Sequence, residues 1–473
     1  MGAAGLLLAS CKKDQVAENV GDLNAGTPTT LATITLPEVI SVNTTLSAAN
    51  TYILDGKVWV KNGATLTIPA GTRIEGLYKA NAADASALIV TKTGRLVAKG
   101  TQATPIIFTS SLTGLPGGRT NRLPGDWGGI VILGNGITNQ PATTQIEGVT
   151  SFPTGGTIDD TYYGGSTEAH NGGLLNYVRI EFAGALVSAN RELNSLTLGG
   201  CGSQTALRYI MASYGADDAF EFFGGTVNPK FLIANAQNDD GFDFDFGYRG
   251  NFQFGVSVRN PAYTVADANG IECDNDATGS AATPTTRPEL SNLTIIGRCS
   301  GALTGTLNGA RFRRGTDLRM RNSIIMGYTT GIVFENTLVP TTAAFFRNNA
   351  VHGFTDSSKF VGTSVSPWGL ANDGIISAST PTTWINNACP ATHNLYKSSA
   401  LAFKAGGPLD PATPAGPGVV KPNFAGTSSN FLNTVPYIGA VGNGSPIKVG
   451  NNITIPNNWI AGSAGVWTNF DPS

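Results

Sequence analysis

From Thr51 onward, apolar and polar residues alternate in short runs separated by glycine, the pattern of strands with one buried face. TYILDGKVWVKNGATLTIPAGTRIEG and SALIVTKTGRLVAKGTQATPIIFTSS follow one logic, with Gly71 and Gly100 at corresponding bends. The pattern is most explicit between residues 207 and 247, where ADDAFEFFGG from Ala216 aligns with NDDGFDFDFG from Asn238 at an offset of 22 residues. Asp217 falls on Asp239, Asp218 on Asp240, Phe220 on Phe242, Glu221 on Asp243 and Phe222 on Phe244. Upstream, Tyr209, Ile210, Met211 and Ala212 match Phe231, Leu232, Ile233 and Ala234.

A period of ~20–30 residues built from short strands predicts an all-β solenoid, because one coil cannot bury its own apolar face. Stacked at ~4.8 Å, Phe220 covers Phe242 and Phe222 covers Phe244, while Glu221 stands over Asp243 on the outer face. LTIPAGTRIEG and GTQATPIIFTSS resemble the opening coils of right-handed parallel β-helix proteins, and GDWGGIVILGN (Gly125 to Asn135) continues the likeness. The predicted fold is therefore a right-handed parallel β-helix with long side loops and an irregular C-terminal cap. Its body spans 46–349, with loops inserted at 136–172 and 259–287. Residues 350–473 hold late coils and the cap, in which YIGAVGNG and NNWIAGSAGVWTNFDPS pack over a solenoid end.

Residues 3–10, AAGLLLAS, are an apolar run ending at Cys11. Leu8-Ala9-Ser10-Cys11 resembles the lipobox of bacterial lipoprotein signal peptides, in which the cysteine becomes the lipidated first residue. Residues 1–11 are thus read as signal peptide and lipidation site, and 12–45 as a polar tether and first extended segment. The run is too short to span a bilayer, so acyl chains at Cys11 are the expected membrane attachment. With the DDAFEFFGG and NDDGFDFDFG pair and the closing WTNFDP, the chain resembles β-helical surface lipoproteins of Bacteroidota-like bacteria. That likeness implies an exported outer-membrane lipoprotein exposed at the cell surface.

Charged residues make up 13% of the chain, there are 60 glycines, and the formal net charge is -2. Such a balance offers no general field for nucleic acid, which is excluded as a partner. The concentrated charges matter more. Carboxylates stacked in register repel unless a cation, a proton or water intervenes. Calcium, which takes six to eight hard oxygen ligands, is the cofactor that Glu221, Asp243 and Asp245 would suit. Asp217 and Asp239 are read instead as turn residues accepting backbone N–H bonds. A second calcium candidate is Asp274-Asn275-Asp276-Ala277-Thr278-Gly279 with Glu272 before it, although Thr285 stands where an EF-hand has its final glutamate. The alternative is a polar loop without an ion.

Arg311 and Arg313 share a strand face, placed either to grip the acid groups of a glycan or to pair with acids on the solenoid itself. Tyr162 and Tyr163 of the 136–172 loop are candidates for stacking on sugar rings. With Cys11 set aside, four cysteines remain, and Cys273 with Cys299 is the preferred disulfide because they flank one excursion. His170, His352 and His393 occur singly, and GxSxG, Walker and HExxH motifs are absent. A surface binding carbohydrate or another envelope component is favoured over a polysaccharide lyase or glycoside hydrolase, with a structural adhesin or spacer as the third reading.

Overall fold

The alternating runs become short parallel strands. A computed structural model describes residues 31–335 apart from 190, 263–267 and 299–306, and beyond them 348–353, 360–362 and short stretches between 432 and 472. Among these residues, one wide sheet has fifteen strands and one narrow sheet eleven. Successive coils add one strand to each. The wide sheet gains Gly173–Glu181, Ala206–Ser213, Lys230–Asn235, Asn251–Val258 and Glu289–Ile296, in that order. The narrow sheet gains Leu196–Gly199, Phe220–Phe223, Phe242–Asp245, Ile271–Cys273 and Asn308–Phe312. This is the parallel β-helix that the period predicts.

The expected register is the observed one: Phe220 pairs with Phe242, Glu221 with Asp243 and Phe222 with Phe244. Phe220, Phe222, Phe242 and Phe244 are fully buried in one continuous core that runs from Leu36 to Val351. Stacked ring centroids lie 5.6 Å apart for Phe220 and Phe242, and 5.1 Å for Phe222 and Phe244.

From Gly173–Glu181 onward, the wide-sheet path turns once per coil at a corner where the backbone is left-handed. Tyr177, Tyr209, Phe231, Phe254, Asn292, Asn322 and Asn348 occupy this corner in successive coils, with φ between 50° and 65°. Asparagine tolerates that conformation, but aromatic residues there are uncommon and need compensation. Face-to-face stacking supplies it. Tyr177 and Tyr209 lie 4.4 Å apart, Tyr209 and Phe231 4.5 Å, and Phe231 and Phe254 4.9 Å, with planes within 8° of parallel. Trp459 and Trp467 meet this aromatic ladder edge-on. The described parts of the C-terminal segment therefore cover a flank of the solenoid, where the expectation placed them over its end.

Two inserted stretches differ from expectation. The 136–172 loop does not project freely, because Ile146, Val149 and Tyr163 pack over Trp59, Ile89 and Val131 on the outer face of the narrow sheet. The 259–287 excursion contains the strand Ile271–Cys273, which continues the narrow sheet beyond Phe242–Asp245. Its bordering loops hid the short strand.

Candidate functional site

One outward-facing row of the narrow sheet changes character along the solenoid. Registered residues run Trp59, Ile89, Val131, Thr197, Glu221, Asp243, Glu272 and Arg311. The apolar part lies beneath the side loop, and the row turns acidic where that cover stops.

At this point a cleft of about 220 Å³ is lined by Glu147, Glu192, Asn194, Asp217, Asp218, Glu221, Asp239, Asp240, Asp243 and Glu272. Nine of the ten are carboxylic acids and none is basic. Strands place Glu221, Asp243 and Glu272 on the outer face, the turns before them carry the aspartate pairs, and the side loop adds Glu147. Glu192 comes from a small hairpin with Leu186–Ser188.

The two aspartates of each turn divide the work. Asp218 Oδ1 accepts the backbone N–H of Asp240 at 2.8 Å, and Asp240 Oδ1 accepts the backbone N–H of Asn269. Asn308 Nδ2 then donates to Asn269 Oδ1 at 2.8 Å. This polar ladder is the turn-bonding role expected of Asp217 and Asp239, but the inner residues of each pair perform it. One oxygen from each of Asp217, Asp218 and Asp239 lies within 4.8 Å of the other two, and the same holds for Asp218, Glu221 and Asp243.

Burial raises the proton affinity of these groups, and like charges raise it further. Asp218, Glu221, Asp240 and Asp243 are all held well above the usual carboxylate range, first by desolvation and then by their acidic neighbours. Asp217 is shifted the same way by burial and by Asp239. Glu272 is pushed up to about 9 by burial and Asp243, against the pull of Arg313.

Other candidate residues have different roles. Arg313 bonds Glu272 and holds Asp274 at 2.8 Å, Arg314 reaches Asp274 at 2.7 Å, and Arg311 pairs with Glu335 at 3.0 Å. Arg311 and Arg313 are thus engaged with the solenoid's own acids. Asp274 is consumed by the same pairs, which removes it from the metal candidates and leaves Glu272 at the cleft's edge. Asp276 accepts from Thr278 and Ser280, so its loop closes on itself as a capped turn. Burial opposes ionisation of Asp276, yet these hydrogen bonds outweigh it and hold the carboxyl at about 2. Asp245 accepts the backbone N–H of Phe246 at 2.6 Å and does not line the cleft.

Tyr163 is 2% exposed and packs on Phe223, which leaves no face for a sugar. Tyr162 lines a separate cleft of about 470 Å³ with Lys92, Asn135, Asp159 and Asp160. Cys273 is a buried free thiol 3.0 Å from Thr316 Oγ1. Cys273 turns into the core, as inward alternation from Glu272 requires. Cys11 and Cys299 lie outside the described residues.

Glu147, Glu192 and Asn194 were not foreseen. No repeat marks them, since they come from the side loop, a hairpin and an earlier coil. A family model described as a pectate-lyase like beta helix domain matches residues 38–363. No curated protein and no solved structure matches the chain.

Proposed function

The chain belongs to the pectate-lyase-like β-helix family, and on that premise we propose that it is an exported, lipid-anchored protein that binds carbohydrate with calcium in its acid cleft. Family membership fits a carbohydrate-related role in general. The observation that carries the calcium part is the cleft lined by nine carboxylic acids and no basic residue. Its donors fit the ion, being hard oxygens on adjacent rungs, with the buried Oδ1 atoms of Asn194 and Asp243 lacking hydrogen-bond partners. Glu221, Asp243, Asp217, Asp218 and Asp239 would hold calcium there. The bound ion would supply positive charge and coordination positions for sugar hydroxyls or carboxylates. The Tyr162 cleft adds a ring beside amide and hydroxyl groups, the mixed chemistry that sugars favour.

Attachment through Cys11 and the tether that follows would place this surface at the cell envelope, as in the surface lipoproteins of Bacteroidota-like bacteria. Incorporation of labelled fatty acid, lost on Cys11→Ser, tests the anchor.

A panel of insoluble acidic and neutral glycans tests the activity. Retention in calcium, release by chelator and no soluble products are the expected results. Soluble products would favour glycoside hydrolysis or lyase chemistry, whose support is a group of buried carboxyls with proton affinity raised by burial and by one another. Neither retention nor products would leave an adhesin or spacer.

A further inference from the structure

We propose that the acid cleft is a two-cation centre in which Asp218 is shared between a turn site, made with Asp217 and Asp239, and a strand site, made with Glu221 and Asp243. The inference deepens the calcium reading above and rests on it.

Geometry carries the first step. Three oxygens that touch one ion at ~2.4 Å stand at most ~4.8 Å apart. Both triads meet that bound, with their oxygens within 4.8 Å of one another, and Asp218 belongs to each. The solenoid explains why there are two. Asp217 and Asp239 are equivalent turn positions one coil apart, and Glu221 and Asp243 are equivalent strand positions paired in register. Each pair offers two carboxylates stacked on adjacent rungs. Asp218 lies between the pairs and is fixed there by the backbone N–H of Asp240 on Oδ1.

A second observation is independent of the carboxylates. Asn194 is only 3% exposed and lines the cleft, yet its Oδ1 accepts no hydrogen bond. Its Nδ2 is committed to Thr197 Oγ1 at 3.2 Å and to Glu221. A buried amide oxygen without a partner costs free energy unless something fills the space before it. Beside Glu221, a cation at the strand site does so. Asp243 Oδ1 is likewise buried and without a partner.

Ligand chemistry sets the ion. An all-oxygen set without histidine or cysteine suits calcium or magnesium and disfavours zinc. Magnesium demands near-octahedral contacts at ~2.1 Å and keeps several of its waters, so it seldom fills a site built from protein carboxylates alone. Calcium accepts the longer and less regular shell.

Native mass spectrometry and calorimetry on the full chain, stripped with chelator and titrated with calcium, test the proposal. Two ions per chain are expected. Asp239→Asn and Glu221→Gln should each keep one ion, and Asp218→Asn should weaken both by about tenfold or more. Each substitution removes a repelling charge and keeps an oxygen acceptor, so the variants fold, as circular dichroism would verify. A single ion in the parent chain, or loss of only one ion in Asp218→Asn, overturns the shared centre and leaves calcium binding intact. No bound ion overturns both.

Discussion

Neutralising Glu221 should have opposite consequences with and without calcium. Glu221 is 8% exposed and stacks directly on Asp243 in the register of two parallel strands. Two ionised carboxylates at ~4.8 Å repel by about 3 kcal/mol at an effective dielectric of 20. The chain escapes part of this by protonating one of them, which costs about 1.4 kcal/mol for each pH unit above that group's pKa. Glu221→Gln removes both penalties and keeps an acceptor for Asn194 Nδ2. In chelator at pH 8 it should stabilise the chain by about 1 to 3 kcal/mol, shrinking toward zero near pH 4, where the parent carboxyls are protonated. In excess calcium the sign reverses, because the variant forgoes linkage of about 4 kcal/mol for a site filled at a thousand times its dissociation constant. Denaturant melts of both chains at two pH values, with calcium and with chelator, measure all four cases. A variant less stable than the parent in chelator at pH 8 would refute the repulsive ladder. Equal behaviour with and without calcium would refute the ion.

Four further outcomes follow. In chelator, stability should fall as pH rises: the cleft acids bind protons more tightly folded than unfolded, so their contribution is complete below the ordinary aspartate value of about 3.8 and is lost as pH rises, that of Glu272 through about 9. A melting temperature that climbs over this range contradicts that sign. Phe231→Ala opens the stacked corner and should cost about 3–5 kcal/mol; Trp459, 5.2 Å from that ring, should report it as a red-shifted fluorescence spectrum in the native state. Arg313→Ala removes the bonds to Glu272 and Asp274, leaves Arg314 on Asp274 and Arg311 near Glu272, and should destabilise by about 1.5–3 kcal/mol in denaturant melts, whereas a free glycan-gripping arginine would leave stability unchanged. Cys201 and Cys273 should resist a thiol reagent in the folded chain and react on unfolding, since both are buried thiols whose ionisation burial opposes; resistance after unfolding under nonreducing conditions would indicate a disulfide.

The sequence made the solenoid legible because its strongest repeat is also its packing rule. Phe220 over Phe242 and Glu221 over Asp243 need only a period and an alternation, and both are visible in the letters. What lies across coils was harder to see. Asp217 and Asp218 are adjacent, and only the backbone direction decides that Asp218 bonds Asp240 while Asp217 joins the second carboxylate set. Tyr162 and Tyr163 fail as a matched pair for the same reason: neighbours in a strand face opposite ways, so one lines a cleft and the other is core. Glu147 and Glu192 had no local signal, because a loop's return onto the sheet depends on apolar contacts such as Ile146 and Val149 rather than on any motif.

The arginines bear on why the cleft is acidic. Along one outer face the chain twice brings buried carboxylates together, and answers the repulsion differently. At Glu272 and Asp274 the next coil supplies Arg311, Arg313 and Arg314, and the charges close into ion pairs. One coil earlier, at Glu221 and Asp243, none of the residues lining the cleft is basic. A purely structural ladder would gain from the arginine solution or from an apolar pair at both rungs, since buried like charges cost more than either. The side loop already shows the apolar alternative at Trp59, Ile89 and Val131. With both remedies in use on the same row, retaining the repulsion at one rung is best explained by a ligand that carries the missing positive charge.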